Sequence, residues 1–466
     1  MQMKNGRGAA ALLLALLLPL GGCETVDGWF SESKKPLPGK RELVFAERDP
    51  LKLDAPGVLK VTLPAPVEMK DSPQAGGRPD HDGEHPAASA TLNRAWSVRI
   101  GASSGFRDKI TALPVIAGGR VFTMDSDAVV ASFDAATGRA NWTATTATDD
   151  DRSTNVGGGI GVDGDTVYAS TGRADLVAFD AATGAPRWKI RMPNGARSAP
   201  TIGDGRIYVS TVDSQLLAFS TTDGAKLWSH QAASVETSLL GLPAPAFADA
   251  TVVAGFGSGD LVAVRAATGA VAWLDSLAAS QGRTSISELS AILGMPVIKN
   301  GRVIATGIGR QLVAIDMRSG RRLWEREIAS ISTPWIAGDW IFVLAANNRL
   351  AAISRLEGLT AWTMQLPRFE NEAKNRDPII WTGPVLLGDR LVVAGSTGEA
   401  LSISPYTGEI LGRQRTSGPA AVAPVSAVTI RSCRISAVTV IVPTAVTVLP
   451  SRSAMVTVAE YVPDCA

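Results

Sequence analysis

Residues 176–188 read LVAFDAATGAPRW, and the register of that stretch returns seven times along the 466-residue chain. An Asp or its substitute is followed four places later by Gly and eight places later by Trp or its substitute. The copies are Asp134-Gly138-Trp142, Asp180-Gly184-Trp188, Ser220-Gly224-Trp228, Arg265-Gly269-Trp273, Asp316-Gly320-Trp324, Ser354-Gly358-Trp362 and Ser404-Gly408-Gly412. Successive glycines lie 46, 40, 45, 51, 38 and 50 residues apart, a period that belongs to arrays and propellers. Ahead of each Gly runs a short apolar stretch such as Leu216-Leu217-Ala218-Phe219 or Leu312-Val313-Ala314-Ile315, whose alternation and β-branched or aromatic content predict a strand. The Gly supplies the positive φ of a tight turn, which the preceding Asp, Ser or Thr can hydrogen-bond. Upstream, Asp204-Gly205 and Asn300-Gly301 mark a second hairpin in the unit. Four antiparallel strands per unit make one propeller blade. A Trp buried between adjacent blades would remove roughly 150–250 Å² from water.

The blade count depends on both ends. Pro114, Pro200, Pro245, Pro296, Pro334, Pro384 and Pro424 each precede an expected inner strand, and Gly157-Gly158-Gly159 opens one more, which makes eight. Trp96 stands 46 residues before Trp142 with no turn motif ahead of it. Its strand is expected to complete the blade begun near Pro424, so that the two termini close the ring and remove exposed edges. The expected fold is therefore all-β, an eight-bladed propeller, with seven blades as the alternative. The structural tryptophans are Trp96, Trp142, Trp188, Trp228, Trp273, Trp324 and Trp362.

Residues 1–22 have the form of a secretory signal: Lys4 and Arg7 precede an apolar stretch, Ala9 to Leu18, too short to span a bilayer. Leu20-Gly21-Gly22-Cys23 fits a bacterial lipobox in which Cys23 becomes the lipidated first residue, and Glu24 in place of Asp leans towards the outer membrane. Cleavage would remove two basic residues and take the formal charge from +1 to −1, which leaves no electrostatic footprint for nucleic acid. Residues 23–90 are Pro-rich and charged, as in Lys34-Lys35-Pro36-Leu37-Pro38, and are expected to form a mostly irregular tether, with partial docking on the ring left open. The propeller is expected over 91–425. Residues 426–466 are atypical, with no Gly after Gly418, and neither the expected hairpin nor the closing strands can be read there. A frame artefact, a truncated blade with a foreign tail, and a genuine lineage-specific tail all remain open, as does pairing of Cys433 with Cys465.

Catalytic motifs are lacking. His81 and His85 in Asp80-His81-Asp82-Gly83-Glu84-His85 have a spacing that can hold a metal, but the stretch is glycine-containing linker with no third ligand nearby, so a solvated tether is expected. His230 is expected to be structural. Gly255-Phe256-Gly257-Ser258-Gly259 lies between strands with no helix to present amides to an anion, which predicts a β-turn. No nucleophile elbow, Walker loop or haem motif is present, and no metal or cofactor is called for. The long intervals all enlarge the connection between blades, over 144–156, 275–293 and 365–381. Insertions grouped on one face mark a binding face, and their mixed charge with exposed Leu and Ile suits a protein partner.

The lipobox, Pro73-Gln74-Ala75-Gly76-Gly77, the Arg94-Ala95-Trp96 entry and the repeats to about Pro424 together resemble the BamB family, lipoprotein subunits of the outer-membrane β-barrel assembly (BAM) machinery, most of all its alphaproteobacterial branch. The resemblance implies an eight-bladed propeller without enzymatic activity that binds the periplasmic POTRA domains of BamA alongside other BAM subunits. It also implies help in delivering unfolded outer-membrane proteins from a lipid anchor on the periplasmic face of the outer membrane. The family's BamA contact falls on an inter-blade loop that here reads Ser238-Leu239-Leu240-Gly241-Leu242, with Leu239 at an apolar position and Leu240 where the family has a basic residue. A second, acidic loop falls at Glu288. The Ala-x-Thr-Gly-x-x-x-Trp repeat is also shared with pyrroloquinoline-quinone dehydrogenases. Those enzymes carry a vicinal Cys pair and calcium ligands, whereas this chain has no vicinal cysteines. A propeller scaffold for another envelope partner is the third reading.

Overall fold

The computed structural model of the chain describes residues 49–54, 57–88, 93–102, 110–147, 154–235, 241–278, 290–416, 425–431, 434–441 and 454–460. Cys23, Leu239, Leu240, Glu288, Pro424, Cys433 and Cys465 lie outside the described residues. Residues 176–179 fall in the strand Asp175–Asp180, and all four are buried, which a strand with one solvated face would not show. Alternation persists in another sense. Val177 and Phe179 pack with Phe122, Val130 and Ile160 towards the preceding blade, while Leu176 and Ala178 pack with Ile207, Leu217 and Phe219 towards the following one. Middle strands are covered on both faces by neighbouring blades, so they read as continuous apolar runs.

Seven sheets each take four consecutive strands, such as Thr201–Gly203, Arg206–Ser210, Gln215–Ser220 and Lys226–Gln231. The inner strands of blades one to seven are Val115–Ala117, Gly158–Asp163, Thr201–Gly203, Ala246–Ala248, Val297–Lys299, Trp335–Ala337 and Trp381–Leu387. The seventh corrects one expectation: Pro384 sits inside its strand and does not precede it. The ladder shifts register between Thr382 and Val385, because proline has no N–H to donate. Val425–Arg431, Arg434–Ile441, Ala454–Glu460 and Asn93–Gly101 form an eighth sheet, in which the strand from the N-terminal side pairs antiparallel with 454–460. Val425–Arg431 lies beside the inner strands of blades one and seven, so the termini close the ring. Three strands therefore run through the segment in which the expected closing strands were missing. Its β-branched residues favour extended backbone without any hairpin glycine.

Each repeat tryptophan clasps the next blade. The indole N–H of Trp96 donates to the Ala135 carbonyl at 3.1 Å, that of Trp228 to Ala266 at 2.8 Å, and that of Trp273 to Met317 at 2.7 Å. Trp142, Trp188, Trp324 and Trp362 make the same bond to Ala181, Thr221, Arg355 and Pro405. Beneath each ring lies the turn glycine of the next unit. At Gly138, Gly184, Gly224, Gly269, Gly320, Gly358 and Gly408, φ lies between +72° and +77°, and an added Cβ would fall 2.6–2.9 Å from the preceding blade's Trp. Two requirements thus converge on Gly: a left-handed backbone and a ring resting on it. A β-bulge beside each turn places the Trp opposite a small residue, as in Ala178↔Trp188, Ala263↔Trp273 and Ser132↔Trp142.

The same geometry accounts for Gly412, which stands opposite Ser402 in open space where a Trp would recur. A Trp there would cap the turn between the third and outermost strands of the eighth sheet. Those strands are Ala454–Glu460 and Asn93–Gly101, from opposite ends of the chain, and no such turn joins them.

Replacing Trp273 by Ala is expected to lower unfolding free energy by about 3–5 kcal/mol, read from urea denaturation. A loss below about 1 kcal/mol, typical of surface positions, would show that the clasp does not hold the blades together.

Candidate functional site

The inner strand of a blade has a partner on one side only, which leaves backbone N–H and C=O groups facing the channel. Residues 71–88, within the expected irregular tether whose docking was left open, satisfy them in ring order. Asp71 accepts from the Gly118 N–H at 2.9 Å, and Ser72 exchanges both backbone bonds with Ile116 on blade one, at 2.8 and 2.9 Å. The Pro73 carbonyl accepts from Val162 on blade two at 2.8 Å. The Gln74 amide brackets Ile202 on blade three: Oε1 accepts its N–H at 2.8 Å and Nε2 donates to its carbonyl at 2.9 Å. Carbonyls of Pro79, Asp80 and Pro86 accept from Phe247, Ile298 and Gly388 on blades four, five and seven, at 2.7, 2.8 and 2.8 Å. On blade six the Trp335 indole donates to Glu84 at 3.0 Å. The segment is a strap that seals the channel at the end where the tight turns lie.

Leu51, Asp54 and Val61 are docked as well. Leu51 is buried in the core between blades five and six, and Val61 in that between six and seven. Asp54 accepts from the Thr360 N–H at 2.8 Å and pairs with Arg326 at 3.0 Å. Burial pushes its carboxyl up, but the bond from Thr360 and the Arg326 charge outweigh this and hold it below the usual range.

The solvated reading of the histidine pair is corrected: His81 is 4% exposed and His85 2%. His81 donates from Nδ1 to the Pro296 carbonyl at 2.7 Å, and burial lowers its pKa from 6.5 to about 4, so the ring is neutral. His85 sets Nδ1 2.7 Å from the Pro64 carbonyl and Nε2 3.0 Å from that of Gly388. Lys299 pairs with Asp82 between them at 2.5 Å. These contacts are structural. Among the described residues no group of three or more His, Cys, Asp or Glu is placed to hold a metal. Burial also lowers the His230 pKa, on the outer strand Lys226–Gln231.

Above the strap, a chamber of about 350 Å³ is walled by Met69, Leu113, Met295, Trp335, Trp381 and Pro384, with Gly76, Gly77 and His81 also lining it. A second recess of about 330 Å³ is lined by Ile110, Leu113, Arg197, Leu242, Leu293 and Met295. Leu113 and Met295 belong to both. Among the described residues, neither lining contains a carboxylate or a cysteine. The expected β-turn at 255–259 is present, with the Phe256 N–H donating to Asp260 at 3.0 Å.

The inter-blade connections lead into the inner strands at the end of the channel opposite the strap. Two of the three expected partner-binding residues, Leu239 and Leu240, lie just before a described anchor: the Leu242 N–H donates to the Arg197 carbonyl at 3.0 Å. The exit of the loop holding Glu288 is fixed by Ile292 N–H to Phe256, also 3.0 Å. The insertion over 365–381 forms a hairpin, Phe369–Asn371 with Arg376–Pro378, around a single 3₁₀ turn.

A family model described as "Outer membrane protein assembly factor BamB" matches residues 90–152 and 126–364, more than half of the chain. The chain belongs to this family. The BamB of Salmonella typhimurium strain LT2 is 29% identical over 373 residues, covering 78% of this chain and 91% of the relative. That of Escherichia coli K12 is 28% identical over the same length and shares. Among solved structures, BamB from Moraxella catarrhalis superposes with a TM-score of 0.61 at 21% identity, over 80% of this chain and all of that one. A europium-containing methanol dehydrogenase does so with a TM-score of 0.66 at 11% identity, over 84% of this chain and 98% of that one. Such likenesses establish the propeller that the BamB family shares with quinoprotein enzymes and leave the activity to the residues.

Folding stability should fall as the pH drops from about 6.5 towards 4, because the unfolded chain protonates His81 before the folded one does. Above 6.5 the ring is neutral in both states and adds no pH dependence. Over the window the slope is at most about 1.4 kcal/mol per pH unit. Thermal melts of His81→Gln should lose that part of the slope, and an unchanged profile would remove His81 as its source.

Proposed function

We propose that this protein is a non-enzymatic scaffold lipoprotein of the BAM machinery that binds the POTRA domains of BamA and aids assembly of outer-membrane proteins. The observation that carries this reading is the family match, supported by relatives whose own length is covered to 91%. Three features support its finer parts. The strap seals one end of the channel, and among the described residues the chamber walls carry no carboxylate, which suits a binding ring better than an enzyme. The inserted hairpin at 369–378 lies at the other end, and Leu239, Leu240 and Glu288 are assigned to BamA contact from the sequence. Lipidation at Cys23 would hold the ring at the periplasmic face of the outer membrane.

Tagged protein from detergent-solubilised envelopes is expected to recover BamA, and Leu239→Asp with Leu240→Asp to abolish recovery without altering the thermal melt. Retained recovery by the double variant would remove the contact assignment, and none by wild type would remove the function. Addition of pyrroloquinoline quinone and calcium should give no alcohol-dependent dye reduction; turnover would overturn the non-enzymatic reading.

A further inference from the structure

We propose that the chamber is a receptor for one large apolar side chain of an extended polypeptide, whose flanking residues lie in the groove beside it. This deepens the assembly reading by giving unfolded clients a binding site, and it rests on that reading for the identity of the client. The chamber's volume, about 350 Å³, is at the small end of ligand sites. Its walls combine flat rings, Trp335 and Trp381, with two methionines, Met69 and Met295, which adapt to differently shaped apolar groups. The floor is closed by the strap. There Gly83 lies against the Trp335 ring, where an added Cβ would come within 2.4 Å. Among the described residues no charged side chain lines the chamber and His81 is kept neutral, so an anionic or cationic group would be desolvated against these walls without a partner.

The case for a polypeptide over a free small molecule comes from the adjoining groove. It measures about 310 Å³ and shares Ile331, Ser332, Ile380 and Trp381 with the chamber, so the two are continuous. Ile331 and Ile380 on the shared rim are 48% and 59% exposed, although most large apolar side chains of the ring are buried. The far wall is the inserted hairpin: Phe369 beneath the Arg368 guanidinium, and Ile379, whose N–H bonds to the Arg368 carbonyl at 2.8 Å. A pocket for one side chain opening into an apolar-rimmed trough is the geometry by which extended peptides are held.

The test is fluorescence anisotropy of a dye-labelled nonapeptide of Gly, Ser and Thr with one central Phe, against the full mature chain in detergent. Saturable binding is expected, roughly tenfold weaker when Phe is replaced by Ser. Met295→Trp, which fills the chamber, should weaken the Phe peptide by a similar factor. Ile380→Asp on the exposed rim, which cannot disrupt the core, should weaken it at least severalfold. Equal binding of the two peptides, or affinity unchanged in a folded Met295→Trp and in Ile380→Asp, would overturn the proposal. Binding of N-acetyltryptophanamide without binding of the Phe peptide would also overturn it, in favour of a small-molecule site. BamA recovery by wild type is scored separately: its failure beside intact peptide binding would sink the assembly reading and leave the chamber standing.

Discussion

The contact between a tryptophan ring and the turn glycine of the next blade is the constraint on which the ring depends. Each blade is a twisted sheet with both faces apolar, and no blade can bury them alone. The indole covers the turn, its N–H satisfies a turn carbonyl, and the glycine is the only residue that meets both the left-handed backbone and the close approach of the ring. Because every clasp reaches forward by one blade, the blades are locked in sequence order. The chain of clasps stops at Gly412, where the next turn is replaced by the meeting of the two ends of the chain.

A second constraint follows from closing sheets into a ring. Each inner strand is the end strand of its sheet, so its outward backbone groups face the channel. The strap at 71–88 answers this with backbone carbonyls, the Gln74 amide and one indole bond, each directed at an inner strand. It also turns an open tunnel into a blind chamber. The volume remaining is small and apolar, and no carboxylate lines it among the described residues.

The two ends of the ring therefore have different duties. One end holds the tight turns and the strap and is devoted to stability. The other holds the inserted hairpin at 369–378, the exposed Ile331 and Ile380 and the mouth of the chamber. Such a division suits a scaffold, in which a rigid body presents loops at defined distances and chemistry is supplied elsewhere.

Blade number, the closing role of Trp96 and the part played by each repeat tryptophan were legible in the sequence. They depend on local spacing: a turn that needs Gly, a strand of fixed length and an indole eight residues on from the Asp position. Burial of the middle strands on both faces was read only as alternation, because one strand's pattern does not say what covers it. The histidines at 81 and 85 looked solvated for the same reason. Nothing in Asp80-His81-Asp82-Gly83-Glu84-His85 announces that Pro296, Pro64 and Gly388, some of them more than two hundred residues away, supply carbonyls to their rings. The sequence by itself determined the repeating unit, since that unit is built from neighbours along the chain. Only the tertiary structure decided that the linker seals the channel and that an apolar chamber remains, because both arise where separate blades converge on one axis.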